Sequence, residues 1–557
     1  MSIVFPGECA IRELDCSSTL LRSIDLLRLP ELERLAVNNC RLEELDLSGA
    51  PGLLELNALG NGLTEIDLSA QTLLQDLYLS ENALKTLDLS ANTALVNLAV
   101  DYNALASLDL SPLKSLWTAH VNSNEIVSLT LANPALSVLL AGKNRIGEID
   151  LKGCPALTSV ALNENSLTSL DMSGNLSLIQ MFAGQNSISK VTLAASMPSL
   201  ALLNLADNAL SQLELAALPS LKELVVSRNA FAGTLDLSAN PALTHLNIAH
   251  NEIESLKWGT ASALNTLFAS CNRLSVLSVP SDALGYIDCT RNQLEAVSLS
   301  RHPNLYQLML DFNKLTSVNL ASNKNLWGVS LRANSLEAEA IGRICSQLPD
   351  VNDLAIIPDY ESWMKIIFLS GNPGVATADV DEAVGKGWAV VMNENIPVDR
   401  ILQISVVDSD ETPVQGARLV LVVNGEDVGT QAVESAPGVY VYNPLPVFSG
   451  VSYEVRVEKE GFVSRTVGVG EIVDGDLALK VTLDFDRGGV MASGAGDILV
   501  AGGDGFIFVS VPVDSDVAVH DVSGRLVFAG TLCAGDNRID GIEPGIYFVL
   551  GKKIFVK

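Results

Sequence analysis

Residues 77–90 read LYLSENALKTLDLS, residues 246–259 LNIAHNEIESLKWG and residues 308–321 LMLDFNKLTSVNLA. All three follow one pattern, L-x-L-x-x-N-x-L-x-x-L-x-L-x. The Asn column runs through Asn61, Asn82, Asn103, Asn124, Asn144, Asn165, Asn186, Asn208, Asn229, Asn251, Asn272, Asn292, Asn313 and Asn334. It spans 273 residues in 13 intervals, a mean of 21 per repeat. Extended backward, the register places Cys40 and Thr19 in the same column, so sixteen turns begin near residue 11. In L-x-L, alternate residues point to opposite sides of a strand, so the leucines face inward and the residues between them face outward. Stacked turns pair these strands into one long parallel sheet. Each Asn sits where the chain leaves the strand, and its amide is placed to satisfy backbone groups that the bend leaves unpaired.

Self-similarity at this period and copy number reads as a leucine-rich repeat solenoid. The second half of each turn, L-x-x-L-D-L-S, is too short for a regular helix, so the convex side is expected to be extended or 3₁₀. It carries an acidic column: Asp25, Asp46, Asp67, Asp88, Asp109, Asp150, Asp171, Glu214 and Asp236, fading to Lys257, Ser278, Ser298 and Asn319. A carboxylate two residues before a serine is expected to accept bonds from nearby N–H and hydroxyl groups. The competing reading is a cation-binding strip. After Asn334 the register lengthens. Residues 335–357 read as a helix ending before Pro349 and then a strand, IFLSGNPGV (367–375) restores an Asn at 372, and residues 377–392 read as a short helix and a final strand. Residues 335–396 are therefore expected to cap the apolar end of a 1–396 solenoid domain.

The repeat, with cysteines in LDCSST (14–19) and IDCTRN (287–292), resembles internalin-J-type bacterial leucine-rich repeats over roughly residues 8–395. The resemblance implies surface display and adhesion or recognition of a protein on a host or neighbouring bacterial surface, with a role in attachment or biofilm. It names no ligand.

Near Pro397 the period of 21 gives way to alternation. Strands are expected at 401–407, 417–423, 438–442, 451–457, 463–469 and 477–485, a β-sandwich over 397–486. TPVQGARLVLVVNG, GVYVYNPL and VSYEVRVEKEGF are similar to transthyretin-like or Ig-like spacer sandwiches, which implies a stalk. DSDE at 408–411 reads as a solvated turn rather than a calcium loop. RGGVMASGAG (487–496) is a glycine-rich linker. Residues 497–557 are again β-rich. VAVHDVSGRLVFAG (517–530), NRIDGIEPGIYFV (537–549) and the ending KKIFVK resemble the C-terminal sorting domain of type IX secretion, of the Bacteroidetes type. The matching residues are Asp521, Gly524 and Arg525 of the D-x-x-G-R turn and Pro544, Gly545 and Tyr547 of P-G-x-Y. That resemblance implies export to the outer surface, with the secretion machinery as a partner. The N-terminus shows no signal peptide, which then is expected to have been removed.

The chain has 557 residues, 48% hydrophobic and 18% charged, which allows a large core and excludes global disorder. With 35 Lys+Arg against 65 Asp+Glu the formal charge is −30, opposite to what a nucleic-acid or anionic-lipid surface needs. No run of 18 apolar residues marks a membrane span. The eight cysteines, at 9, 16, 40, 154, 271, 289, 345 and 533, contain no CxxC and are expected as mostly buried thiols. HExxH, GxSxG, Walker A and a strand-following GxGxxG are missing, so no enzyme and no cofactor are expected.

The candidate site is the concave face. Outward strand positions supply Tyr78, His120, Phe182, Phe268 and Met309, and flanking positions add Tyr102, His245, His250, Tyr286 and Phe312. Aromatics are 5% of the chain, so exposed ones are informative. Phe268, Tyr286, Met309 and Phe312 fall on three consecutive turns and fit a protein hot spot; aromatic faces also suit sugars, so a glycan-capturing module is the alternative. His245 and His250 share one turn, and a metal would need further ligands such as Glu223 or Asp288. A solvent-facing recognition surface is the preferred reading, on a chain expected to be a monomer.

Overall fold

Alternation in L-x-L produces three-residue strands whose middle residue is buried and whose flanking residues face solvent, as in Asp76–Tyr78 around Leu77. A computed structural model of the chain describes residues 2–5, 7–259, 262–356, 364–393, 398–409, 411–423, 426–447, 453–459, 461–469 and 477–484. Beyond 498 it describes the strands named below. The chain divides into two units, Met1–Glu394 and Asn395–Lys557.

The first unit is a parallel β-solenoid of about 18 turns. Its long sheet starts at Glu13–Asp15 and ends at Ala389–Val391, each strand pairing in parallel with the strand one turn away. Register is fixed by the stacked interior: Leu56 pairs with Leu77 and Leu77 with Leu98. Within one turn Leu74, Leu77, Leu79, Leu84 and Leu89 are all buried. Burying a leucine is worth about 1.5–3 kcal/mol, so repetition of this set supplies most of the driving force.

The Asn column does what its position requires. Asn82 Nδ2–H donates to the carbonyls of Ala58 one turn back (3.0 Å), Leu79 (3.0 Å) and Ser80 (3.3 Å), and Oδ1 accepts the Leu63 N–H (3.0 Å). The same set recurs at Asn334, and Asn372 rejoins it from the cap. At the N-terminal end Cys40 Sγ and Thr19 Oγ1 both donate to the Cys16 carbonyl, at 3.3 and 2.8 Å. The residue before each column member has positive φ, and the non-glycine ones, from Ser18 through Glu81, Tyr102, Arg228, His250 and Phe312 to Ala333, all lie between 48° and 58°. A side chain there costs about 1 kcal/mol relative to glycine. Only Gly60 and Gly371 avoid that cost in this column.

A second polar column lies on the far side of the coil and is absent from the expectations above. Asn92 Nδ2–H donates to the carbonyls of Leu68 and Gln71, both at 2.9 Å; Asn133, Asn175, Asn240 and Asn323 repeat the arrangement. His302, buried in the same column, bonds the Ser281 carbonyl through Nδ1 at 2.7 Å.

The convex side is extended, with short parallel pairs such as Ser107–Asp109 with Ser128–Thr130, and one 3₁₀ turn at Leu215–Ala217. Its carboxylates cap the following bend: Oδ1 of Asp46, Asp67 and Asp88 accepts the N–H two residues on, at 2.9 Å. Asp171 goes further, accepting from the Ser173 hydroxyl (2.6 Å) and N–H (3.0 Å) and meeting Lys152 at 3.1 Å. The Ser173 hydroxyl first, then its amide and Lys152, hold Asp171 at about 2. Its ordinary value is near 3.9, so the folded state favours the ionised form. That stabilisation is complete above about pH 4 and is lost as pH falls toward 2. The Asp171 contribution to the thermal midpoint, read as the difference between the wild-type chain and Asp171→Asn, is therefore expected to be constant between pH 7 and 5 and to fall below pH 4. A difference that does not change with pH would contradict the assignment.

The cap contains the helix Ala338–Gln347, with Ala340, Ile341, Ile344 and Cys345 buried, and the helix Asp381–Gly385. The strand expected after Pro349 does not form: residues 350–356 are turn and coil, with Leu354 and Ile356 exposed. Ile366–Phe368 takes the next place in the long sheet instead, because it follows the stacked interior and precedes the ladder residue Asn372.

In the second unit, Val433–Ala436, Val439–Val447, Val398–Val407 and Leu477–Thr482 form one four-stranded sheet. Glu426–Gln431, Arg418–Val423, Tyr453–Glu458 and Arg465–Gly468 form another. Leu402, Ile404, Leu421, Tyr440, Val455 and Val481 share a core between them. The pairing is antiparallel except for Val398–Val407 with Leu477–Thr482. Two strands, 426–431 and 433–436, are additions to the sequence reading. Asp408 Oδ1 accepts the Thr412 N–H at 2.9 Å, closing a turn where DSDE stands. The expected linker 487–496 lies outside the described residues.

Seven further strands follow: Leu499–Gly503, Phe506–Val511 and Gly535–Asp540 in one antiparallel sheet, and Leu526–Leu532, Ser515–Asp521, Gly545–Val549 and Lys552–Val556 in another. The backbone pairs Asp521 with Tyr547, so the ends of the two quoted motifs meet in register. Gly545 opens its strand; Gly524, Arg525 and Pro544 lie outside the described residues.

Candidate functional site

The outer face of the long sheet is built from the first and third residue of each strand, and its rim from the positive-φ residue that follows. The sheet fixes spacing: side chains on adjacent turns stand about 4.8 Å apart, close enough for ring contact. Phe268, Tyr286 and Met309 use this geometry. Phe268 is 37% exposed, and its ring centroid lies 4.9 Å from that of half-buried Tyr286. The Tyr286 hydroxyl donates to Met309 Sδ at 3.6 Å. Burial pushes the Tyr286 phenol up, so it is neutral at physiological pH.

Phe312 does not join that trio. Its ring lies under the Arg291 guanidinium, 4.4 Å from centroid to Cζ, on the rim. Arg332 covers Phe368 in the same way at 4.2 Å. Beneath them, buried Asp311 accepts the Ser330 hydroxyl at 2.6 Å and the Arg332 N–H at 2.7 Å. Ser330 is consequently buried rather than presented at the surface. Burial raises the Asp311 carboxyl, while Ser330 and Arg332 pull the other way.

The remaining candidates are dispersed. Tyr78 and His120 are separated by the strand of Ala99, and Phe182 stands beside Ala161. Tyr102 projects from the rim at 61% exposure. His245 is exposed, with Nδ1 3.0 Å from Thr244 Oγ1, and pairs in register with Glu223. His250 is half-buried; burial, then the Arg228 charge, lower its imidazole below 6.5, which keeps it neutral at pH 7. Asp288 pairs with Phe268, one strand beyond Asn247. No three His, Cys, Asp or Glu side chains converge to hold a metal among the described residues.

Of the seven described cysteines, Cys154, Cys289 and Cys345 are buried and the rest half-buried; none is disulfide-bonded. Burial pushes the Cys289 thiol well up. Cys533 lies outside the described residues.

The sequence reading passed over Trp117, 53% exposed, and the stacked pair Tyr306–Trp327, whose centroids are 5.4 Å apart. All three precede a strand by one residue, a column legible once the repeats are aligned. Among the described residues no helix is long and apolar enough to cross a membrane.

No family model matches the chain, and no curated protein is similar to it. Solved structures do match. A plant peptide hormone receptor, RGFR1 in complex with RGF2, is 18% identical, with 74% of this chain and 72% of that chain covered and a TM-score of 0.52. The functional domain of InlJ from Listeria monocytogenes is 20% identical, covering 82% and 90%, with a TM-score of 0.45. YopM from Yersinia enterocolitica WA-314 is 26% identical, covering 59% and 78%, with a TM-score of 0.46. The likeness is one of fold, and together with the stacked turns it establishes residues 13–391 as a leucine-rich repeat solenoid.

Proposed function

We propose that this chain is a non-enzymatic recognition protein that binds protein partners across the outer face of its long sheet. The observation that carries this reading is the patch of Phe268, Tyr286 and Met309, flanked on the rim by Arg291 stacked on Phe312. Aromatic, Met and Arg side chains held rigid by a sheet are the groups that dominate protein interfaces, and contiguous exposed apolar surface usually marks contact. Partner capture by the immobilised intact chain, followed by affinity measurement with the captured protein, tests it. Phe268→Ala with Phe312→Ala is expected to weaken binding at least 30-fold while leaving the thermal midpoint within a few degrees. Unchanged affinity in that double variant would remove the patch from the interface.

Export by type IX secretion and display on the outer surface complete the proposal, resting on the resemblance of residues 497–557 to a sorting domain. Deleting 497–557 is expected to retain the protein inside the native cell; normal display of the truncated chain would reject this part. A glycan-binding module for nutrient capture is the second reading, favoured by the stacked rings of Tyr306 and Trp327 beside the patch. Saturable binding on a glycan array, lost in Trp327→Ala and kept in the Phe268/Phe312 variant, would favour it.

A further inference from the structure

The ladder interval from Asn229 to Asn251 is 22 residues, one more than the mean. Gly233 has a φ of +67°, and the pairing of Ala232–Asp236 with Glu252–Lys257 shifts register between Gly233 and Thr234, where Gly233 pairs with Ile253 and Thr234 with Ser255, so that Glu254 of the partner strand is skipped. In the preceding turn the chain curls into the 3₁₀ turn Leu215–Ala217 instead of running alongside Ala232–Asp236 as a strand. Between them lies a groove of about 320 Å³ on the side of the coil opposite the outer sheet face. Leu213 and Glu214 form one wall, Thr234, Leu235 and Asp236 the other, with Phe231 at the base.

Two features say what this groove accepts. The first is backbone. Leu237 N–H bonds the Lys257 carbonyl, and groups alternate along a strand, so the N–H groups of Thr234 and Asp236 turn toward the groove. On the facing wall two carbonyls are already engaged: the Leu213 carbonyl accepts from Leu215 N–H at 2.9 Å and the Glu214 carbonyl from Ala217 N–H at 3.1 Å. The second is charge. The groove is lined by two carboxylates, Glu214 and Asp236, and by no Lys or Arg. Both are exposed, but Asp236 already meets Lys257 Nζ at 2.6 Å, which leaves Glu214 as the carboxylate facing a ligand.

We propose that this groove docks an extended cationic peptide segment of another protein, added as a strand along Ala232–Asp236 with a Lys or Arg at Glu214. Backbone bonding to the strand edge gives the affinity, alternate side chains enter beside Leu213 and Leu235, and the −30 charge of the chain steers such a segment. The site is separate from the outer-face patch, so either can fail alone.

The test is calorimetric titration of the full chain with the blocked pentapeptide Lys-Val-Lys-Val-Lys and, as control, Glu-Val-Glu-Val-Glu. The cationic peptide is expected to saturate one site and the anionic peptide to show no heat. Glu214→Lys and Ala216→Trp, both at exposed positions on the groove wall, should each weaken binding at least 10-fold, and Phe268→Ala should leave it unchanged. Hydrogen exchange at residues 232–236 should slow on saturation. No saturable binding, wild-type affinity in both groove variants, or protection elsewhere on the acidic surface would each overturn the proposal.

Discussion

Gly374→Ala is expected to unseat the C-terminal cap. Gly374 has an ordinary φ of −81°, so its backbone suits any residue; the space around it does not. A Cβ built there would overlap the Ala338 nitrogen and the Glu337 carbonyl carbon, both main-chain atoms at the start of the helix Ala338–Gln347. Neither can rotate aside, so the helix must move. It is held by the buried faces of Ile341 and Ile344 and by Gln347 Oε1, which accepts the Leu320 N–H at 2.7 Å. Overpacking of this kind costs about 3 kcal/mol. A solenoid with a displaced cap exposes its last apolar rung, so the variant should bind a hydrophobic dye, associate at lower temperature, and be cleaved by protease within 335–350 before anywhere else. Wild-type midpoint and cleavage pattern would show that the approach of 374 to the helix is not as close as described.

Asn165→Ala is the second large effect. The amide donates to the carbonyls of Ala141 (2.9 Å), Leu162 (3.0 Å) and Asn163 (3.4 Å) and accepts the Ile146 N–H at 2.9 Å. Truncation leaves these backbone groups unmet in the interior of the coil, where each unsatisfied group costs about 1–3 kcal/mol. Water entering the gap recovers part, and a net loss of about 3 kcal/mol is expected. Because each turn touches only its neighbours, the loss should be local: faster hydrogen exchange over residues 141–167, with residues 61–103 and 313–334 unchanged. Uniform acceleration along the whole array would mean that the turns unfold as one unit.

The ladder and the inner leucines were legible because a strict period makes each position testable many times over. The helix at 338–347 was legible from its periodicity and from Pro349. The strand expected after Pro349 was not found over the described residues 350–356, because a short apolar run such as LAII does not distinguish strand from coil without the stack beside it. Strands 426–431 and 433–436 escaped because GEDVGTQAVESA lacks apolar alternation. The second amide column was hidden because Asn92, Asn133, Asn175 and Asn240 are interrupted by Leu113, Cys154, Met197 and Leu218, so it does not read as one residue type. At the candidate site, rung spacing brought Phe268, Tyr286 and Met309 together as expected. The capture of Phe312 by Arg291 depends on side-chain directions that spacing does not encode. The turn beside Gly233 is one of two with a 22-residue interval, the other running from Asn186 to Asn208, so the numbering alone does not mark the groove.

The left-handed corner ahead of each ladder residue has an evolutionary corollary. Any side chain bearing a Cβ pays much the same conformational toll there, and Ser, Glu, Tyr, Lys, Gln, Asp, Arg, His, Cys and Phe all occupy it in this one chain. Exchanging one of these letters for another leaves the coil beneath untouched. Mutation can therefore rewrite what this edge says to its surroundings, corner by corner, without asking the scaffold to be reinvented.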